Sequence, residues 1–134
     1  MRGFLKNVCF LITAFFLISC DPPHSISFIN KTNTYVSVEL ELFPDAENYT
    51  LQDLAVENVV TLNIAPNNTE NIHFGIGTWS DEEIEEFGNT VKTIEIETIY
   101  YTKTYKTKKG IKHLLKENRN KFLLIGAEIK IEIE

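Results

Sequence analysis

The chain has 134 residues, a formal net charge of -6 at pH 7, and 43% hydrophobic, 24% charged and 11% aromatic residues. That composition belongs to one ordinary globular domain. With 6 glycines and 4 prolines the chain is neither collagen-like nor compositionally disordered, and its length leaves no room for two domains of usual size.

Residues 1-20 read MRGFLKNVCFLITAFFLISC: Arg2 and Lys6 give a basic start, Val8 to Ile18 runs almost wholly apolar, and small Ser19 precedes Cys20. This is the layout of an export signal, expected as a helix, and its apolar run is well short of the roughly 20 residues that a spanning helix needs. Asp21-Pro22-Pro23 then reads as the beginning of a tether, because proline lacks a backbone donor and favours extended chain. The expected division is a signal over 1-19, a tether over 20-24 and one domain over 25-134.

From Ser25 onward the pattern is strand-like, since successive side chains on a strand point to opposite faces. Apolar and polar residues alternate at Ile26 and Phe28, at Val36, Val38, Leu40 and Leu42, at Val60, Leu62 and Ile64, and at Ile72, Phe74 and Ile76. The same alternation recurs at Ile94, Ile96, Thr98 and Tyr100, and at Ile129, Ile131 and Ile133. Turn residues separate the runs at Asn30-Lys31-Thr32-Asn33, Phe43-Pro44-Asp45 and Ala65-Pro66-Asn67-Asn68. Six or seven strands with one apolar face each predict a mainly β domain built as an antiparallel sandwich, immunoglobulin-like or transthyretin-like, with a partly closed barrel as the alternative.

Two segments depart from alternation. Ser80 with Glu83 forms a capping box, Trp79 and Ile84 stand as a hydrophobic staple, acids crowd the first turn and Gly88 offers a stop, which predicts a short helix over about 81-87. Gly110 to Asn118 gathers Ile111, Leu114 and Leu115 on one side, which predicts a second.

The two cysteines, Cys9 and Cys20, both belong to the leading segment, so the rest of the chain can form no disulfide and no cysteine metal site. His24, His73 and His113 are too widely spaced for a local metal motif, and neither a metal nor another cofactor is expected. The acids Asp81, Glu82, Glu83, Glu85 and Glu86 lack the alternating ligands and turn glycine of a calcium loop and read as a capped, solvated helix face. None of the familiar catalytic motifs occurs, so no catalytic residue is assigned. Trp79 admits two readings, a lid on the core or a sugar-stacking face, and its place in the staple favours the lid.

Without residues 1-19 the chain carries 11 basic against 19 acidic residues, a net -8. Residues 21-100 hold two lysines and 15 acids, whereas residues 101-134 hold nine bases and four acids. An acidic body argues against nucleic-acid binding. Within the basic part, continued strand register places Tyr100 towards the core and Tyr101, Lys103 and Tyr105 on the opposite face. With Lys106, Lys108 and Lys109 these form a candidate partner contact, tyrosine supplying rigid area and lysine steering. The competing reading is an edge strand whose lysines discourage edge-to-edge pairing.

Leu17-Ile18-Ser19-Cys20 resembles the lipobox of bacterial lipoproteins. That resemblance implies cleavage before Cys20, a diacylglyceryl group on its thiol and an acylated new amino terminus, which together hold a protein firmly on a membrane. Ile29-Asn30-Lys31-Thr32, Val36-x-Val38, Pro44-Asp45 and a helical turn before a last strand also resemble the layout of small uncharacterised bacterial lipoproteins with an immunoglobulin-like domain. The resemblance implies fold and location in the cell envelope, on the extracytoplasmic side, and carries no activity. The expected function is a membrane-anchored binding or interaction module for an envelope protein or glycan. The alternative is a small envelope enzyme with an unrecognised site.

Overall fold

The computed structural model describes residues 23-119 and 128-134. The signal segment, Cys20 and the beginning of the tether lie outside the described residues. Among the described residues, seven strands and three helices follow one another: β1 (Pro23–Asn30), β2 (Val36–Leu42), α1 (Tyr49–Leu54), β3 (Val59–Ile64), β4 (Thr69–Ile76), α2 (Asp81–Thr90), β5 (Val91–Glu97), β6 (Thr102–Tyr105), α3 (Lys108–Asn118) and β7 (Glu128–Ile133). None of the described helices is long and apolar enough to cross a membrane.

The strands form two sheets, one ordered β4-β1-β7 and the other β3-β2-β5-β6. The alternating residues do what their period dictates. Ile26, Phe28, Ile72, Ile129, Ile131 and Ile133 from the first sheet join Val36, Val38, Leu40, Leu42, Val60, Ile64, Ile94 and Ile96 from the second in one buried core. The chain is therefore mainly β with two sheets sharing a core. Antiparallel pairing holds throughout except between β1 and β7, which run parallel with Ile26 opposite Ile129 and Phe28 opposite Ile131. A parallel neighbour needs a long crossover, and here nearly the whole domain supplies it, a relation between chain ends that local alternation does not encode.

Buried Asn30, at the end of β1, ties the loops at that end of the molecule together. Its Nδ2 donates to the carbonyl oxygens of Thr34 (2.7 Å), Ile64 (3.0 Å) and Ala65 (3.1 Å). Its Oδ1 accepts from the Thr32 backbone N–H (2.9 Å) and the Thr32 hydroxyl (2.7 Å).

The helices differ from expectation in number and extent. α2 starts as predicted, with the Ser80 hydroxyl accepting from the Glu83 N–H (3.1 Å) and the Glu83 carboxylate accepting from the Ser80 N–H (2.8 Å). It then continues through Gly88 to Thr90. Gly88 is not a stop but a point of close approach: a Cβ there would lie 3.2 Å from the side-chain Cγ atoms of Lys108 and Lys112 on α3. α3 buries Ile111, Leu114 and Leu115 as expected, with Thr107 as its N-cap. The pair α2 and α3 packs together beside β5 and β7. The sequence pattern predicts no helix at α1; capped by Asn48 and burying Leu51, its six residues are too few to display an apolar repeat.

Candidate functional site

Strand register sorts the surface into two ends. Pro23 lies opposite Ile76 and Leu42 opposite Val91, so the chain enters at the end that also holds the β2–β3 connection and α1. Asn30 opposite Ile133 and Glu97 opposite Thr102 mark the other end.

The candidate partner stripe lies near that other end, but on a different face from the one expected. β5 stops at Glu97, and Thr98 turns the chain: its hydroxyl oxygen accepts from the N–H groups of Tyr100 (3.1 Å) and Tyr101 (3.0 Å), while its own N–H donates to the Tyr101 carbonyl (2.9 Å). Tyr100 is consequently 75% exposed and does not enter the core. The turn consumes two residues, so β6 returns with Lys103 opposite Ile96 and Tyr105 opposite Ile94. Both thus share the sheet face of core residues, and Tyr105 packs against the core.

Tyr101, Lys103 and Tyr105 line a cleft of about 190 Å³ between β6, α3 and β7, with Ile131, Glu132 and Ile133 on its far side. Tyr101 donates its hydroxyl to the Glu134 carbonyl (3.1 Å), and the Lys103 ammonium sits 5.2 Å from the centre of the Tyr105 ring. Tyr105 beside it holds the Lys103 ammonium above its ordinary pKa. Lys106 and Lys109 are exposed. Lys108 is turned away onto α2, where it and Lys112 bind Glu85 and hold that carboxyl down to about 2. β6 is the edge of its sheet, as the protective reading of the lysines required.

A larger cavity, of about 380 Å³, opens at the chain-entry end, where no site was expected. Its floor is aromatic. The ring centres of His24 and Trp79 are 4.2 Å apart, those of Phe74 and Trp79 5.2 Å, and those of Trp79 and Phe87 6.2 Å. Trp79 is only 3% exposed and donates its indole N–H to the Ser25 carbonyl (3.0 Å), so it is a wall of the core rather than an open sugar platform.

His24 belongs to β1 and is 8% exposed, although the sequence placed it in the tether. Extending the Ile26, Phe28 alternation back by two residues would have put it on the inner face. Its Nε2 is buried without a hydrogen-bond partner among the described residues. Glu83 Oε1 lies 3.8 Å from that nitrogen, beyond hydrogen-bond reach. Glu47, Glu83 and Glu86 bring three carboxylates to the walls, Tyr49 and Ile76 form part of the lining, and no lysine or arginine is among the described lining residues. The capping box brings Glu83 here, one oxygen serving the helix start and the other facing His24.

Comparison with protein-family models, with curated proteins and with solved structures finds no match to this chain.

Proposed function

We propose that the chain is a lipid-anchored lipoprotein on the extracytoplasmic side of a bacterial envelope membrane, and that its β domain is a binding module. The anchor rests on the export-type segment closing on Leu17-Ile18-Ser19-Cys20. The single structural observation that favours a binding module is the aromatic-floored, acid-walled cavity beside the entry of β1. A concavity in which several polar groups converge above an aromatic floor is one form that small-ligand sites take. Two sheets sharing one core support the immunoglobulin-like or transthyretin-like sandwich as the finer description of the fold.

Metabolic labelling with a fatty-acid analogue tests the anchor. The wild-type chain is expected to take up label and to partition with membranes, and Cys20→Ser is expected to do neither. Equal labelling of the two refutes the anchor.

A further inference from the structure

From the cavity at the chain-entry end we infer that the bound ligand is a small organic cation, an ammonium group on an apolar or partly apolar body. The inference deepens the reading of the domain as a binding module and is independent of the lipid anchor. Three features of the cavity converge on it. The first is charge: Glu47, Glu83 and Glu86 stand around one opening, with neither lysine nor arginine among the described lining residues to balance them. An anion is repelled there, and a cation gains from each carboxylate at distances over which salt screens incompletely.

The second is the floor. Phe74 is partly buried, and Trp79 and Phe87, only 3% and 2% exposed, meet it edge to face with interplanar angles of 76° and 75°, so the floor offers an apolar seat for the ligand's hydrocarbon body rather than an open ring face for its charge. The third is His24. A buried polar atom without a partner is costly, and Nε2 of His24 is one, in a side chain 9% exposed and directed at Glu83. The 3.8 Å between Nε2 and Glu83 Oε1 is too long for a direct hydrogen bond. An N–H donor that bridges the pair from the cavity side, about 2.9 Å from each atom, can give one hydrogen to the imidazole nitrogen and another to the carboxylate, which completes both. An ammonium carries three such hydrogens.

Sequence and structure also supply the reporter. Trp79 is the only tryptophan in the chain and lines the cavity, so its emission comes from this part of the molecule. The experiment titrates the full chain, held in neutral detergent, with n-butylammonium, and with n-butanol and n-butyrate as neutral and anionic analogues of the same body. A saturable change in Trp79 emission is expected for n-butylammonium, with at least tenfold weaker responses to the other two.

Glu47→Gln combined with Glu86→Gln leaves the α2 capping box untouched, and is expected to weaken n-butylammonium binding by about tenfold with an unchanged circular dichroism spectrum. The inference is overturned by no saturable response up to tens of millimolar, by equal responses to the cation and to n-butanol, or by unchanged affinity in the folded double variant. Fatty-acid labelling of the same preparation reads the anchor separately, so failure of one reading leaves the other standing.

Discussion

Asn30 shows how one side chain can hold an end of the fold. Fully buried, it serves three carbonyls and accepts from Thr32, bridging the loop after β1 to the loop after β3. Asn30→Ala strips partners from those buried groups, and with each buried orphan costing about 1–3 kcal/mol the domain is expected to lose roughly 2–4 kcal/mol. A shift of the urea midpoint by less than a quarter of that would contradict the assignment. Trp79 is the second such residue. A staple residue at the rim suggests a loss of about 1–3 kcal/mol on truncation, but Trp79 is enclosed by His24, Phe74 and Phe87 and hydrogen-bonded to Ser25. Trp79→Ala is therefore expected to cost about 3–5 kcal/mol in the same unfolding measurement, the range of fully enclosed aromatics.

At the scale of elements, α2 and α3 are joined by charge as well as by packing. Glu85 on α2 meets Lys108 and Lys112 on α3 across the surface that Gly88 keeps narrow, and hydrogen bonds from the two ammonium groups lower its pKa from 4.5 to about 2. A carboxyl whose pKa is depressed by folding contributes stability that is complete above its unfolded value. That contribution is lost as the pH falls from 4.5 towards 2. The cluster is exposed and its worth is small. Glu85→Gln is expected to melt below the wild type at neutral pH and together with it at the acid end of this window. A difference in Tm that persists unchanged across the window would show that Glu85 acts through something other than its charge.

Over the whole molecule, exposed apolar side chains gather at both ends. Tyr49, Val56 and Ile76 are 81%, 76% and 72% exposed at the end where the chain enters, and Tyr35, Ile99 and Tyr100 are exposed at the other. If Cys20 carries lipid, only Asp21 and Pro22 lie between the anchor and Pro23, a reach of at most about 10 Å, so the entry end is expected to face the bilayer. The chain has no cysteine after Cys20, so single replacements report position cleanly. In the lipidated protein on vesicles, Tyr49→Cys and Val56→Cys are expected to react several-fold more slowly with a bulky water-soluble maleimide than Tyr35→Cys and Tyr100→Cys. Detergent should abolish the difference. Equal rates on vesicles would mean that the domain does not sit end-on.

Much of the architecture was legible because it is written in local periods. Alternation located β2 from Val36 to Leu42, Ser80 and Glu83 located the start of α2, and Ile111, Leu114 and Leu115 marked the buried side of α3. These depend on residues a few positions apart, and burial of one face follows whatever the neighbours are. Tertiary structure alone decided the rest. Two residues spent in the turn at Thr98 moved Tyr101, Lys103 and Tyr105 from an outer face to a cleft, because a shift in hairpin register exchanges the faces of a strand. The parallel pairing of β1 with β7 joins residues more than a hundred positions apart. The cavity at the entry end needed His24 from β1, Glu47 from the loop before α1, Phe74 from β4, and Glu83 and Glu86 from α2. Each of these has an ordinary local role, and only the packing of sheets against helices brings them together.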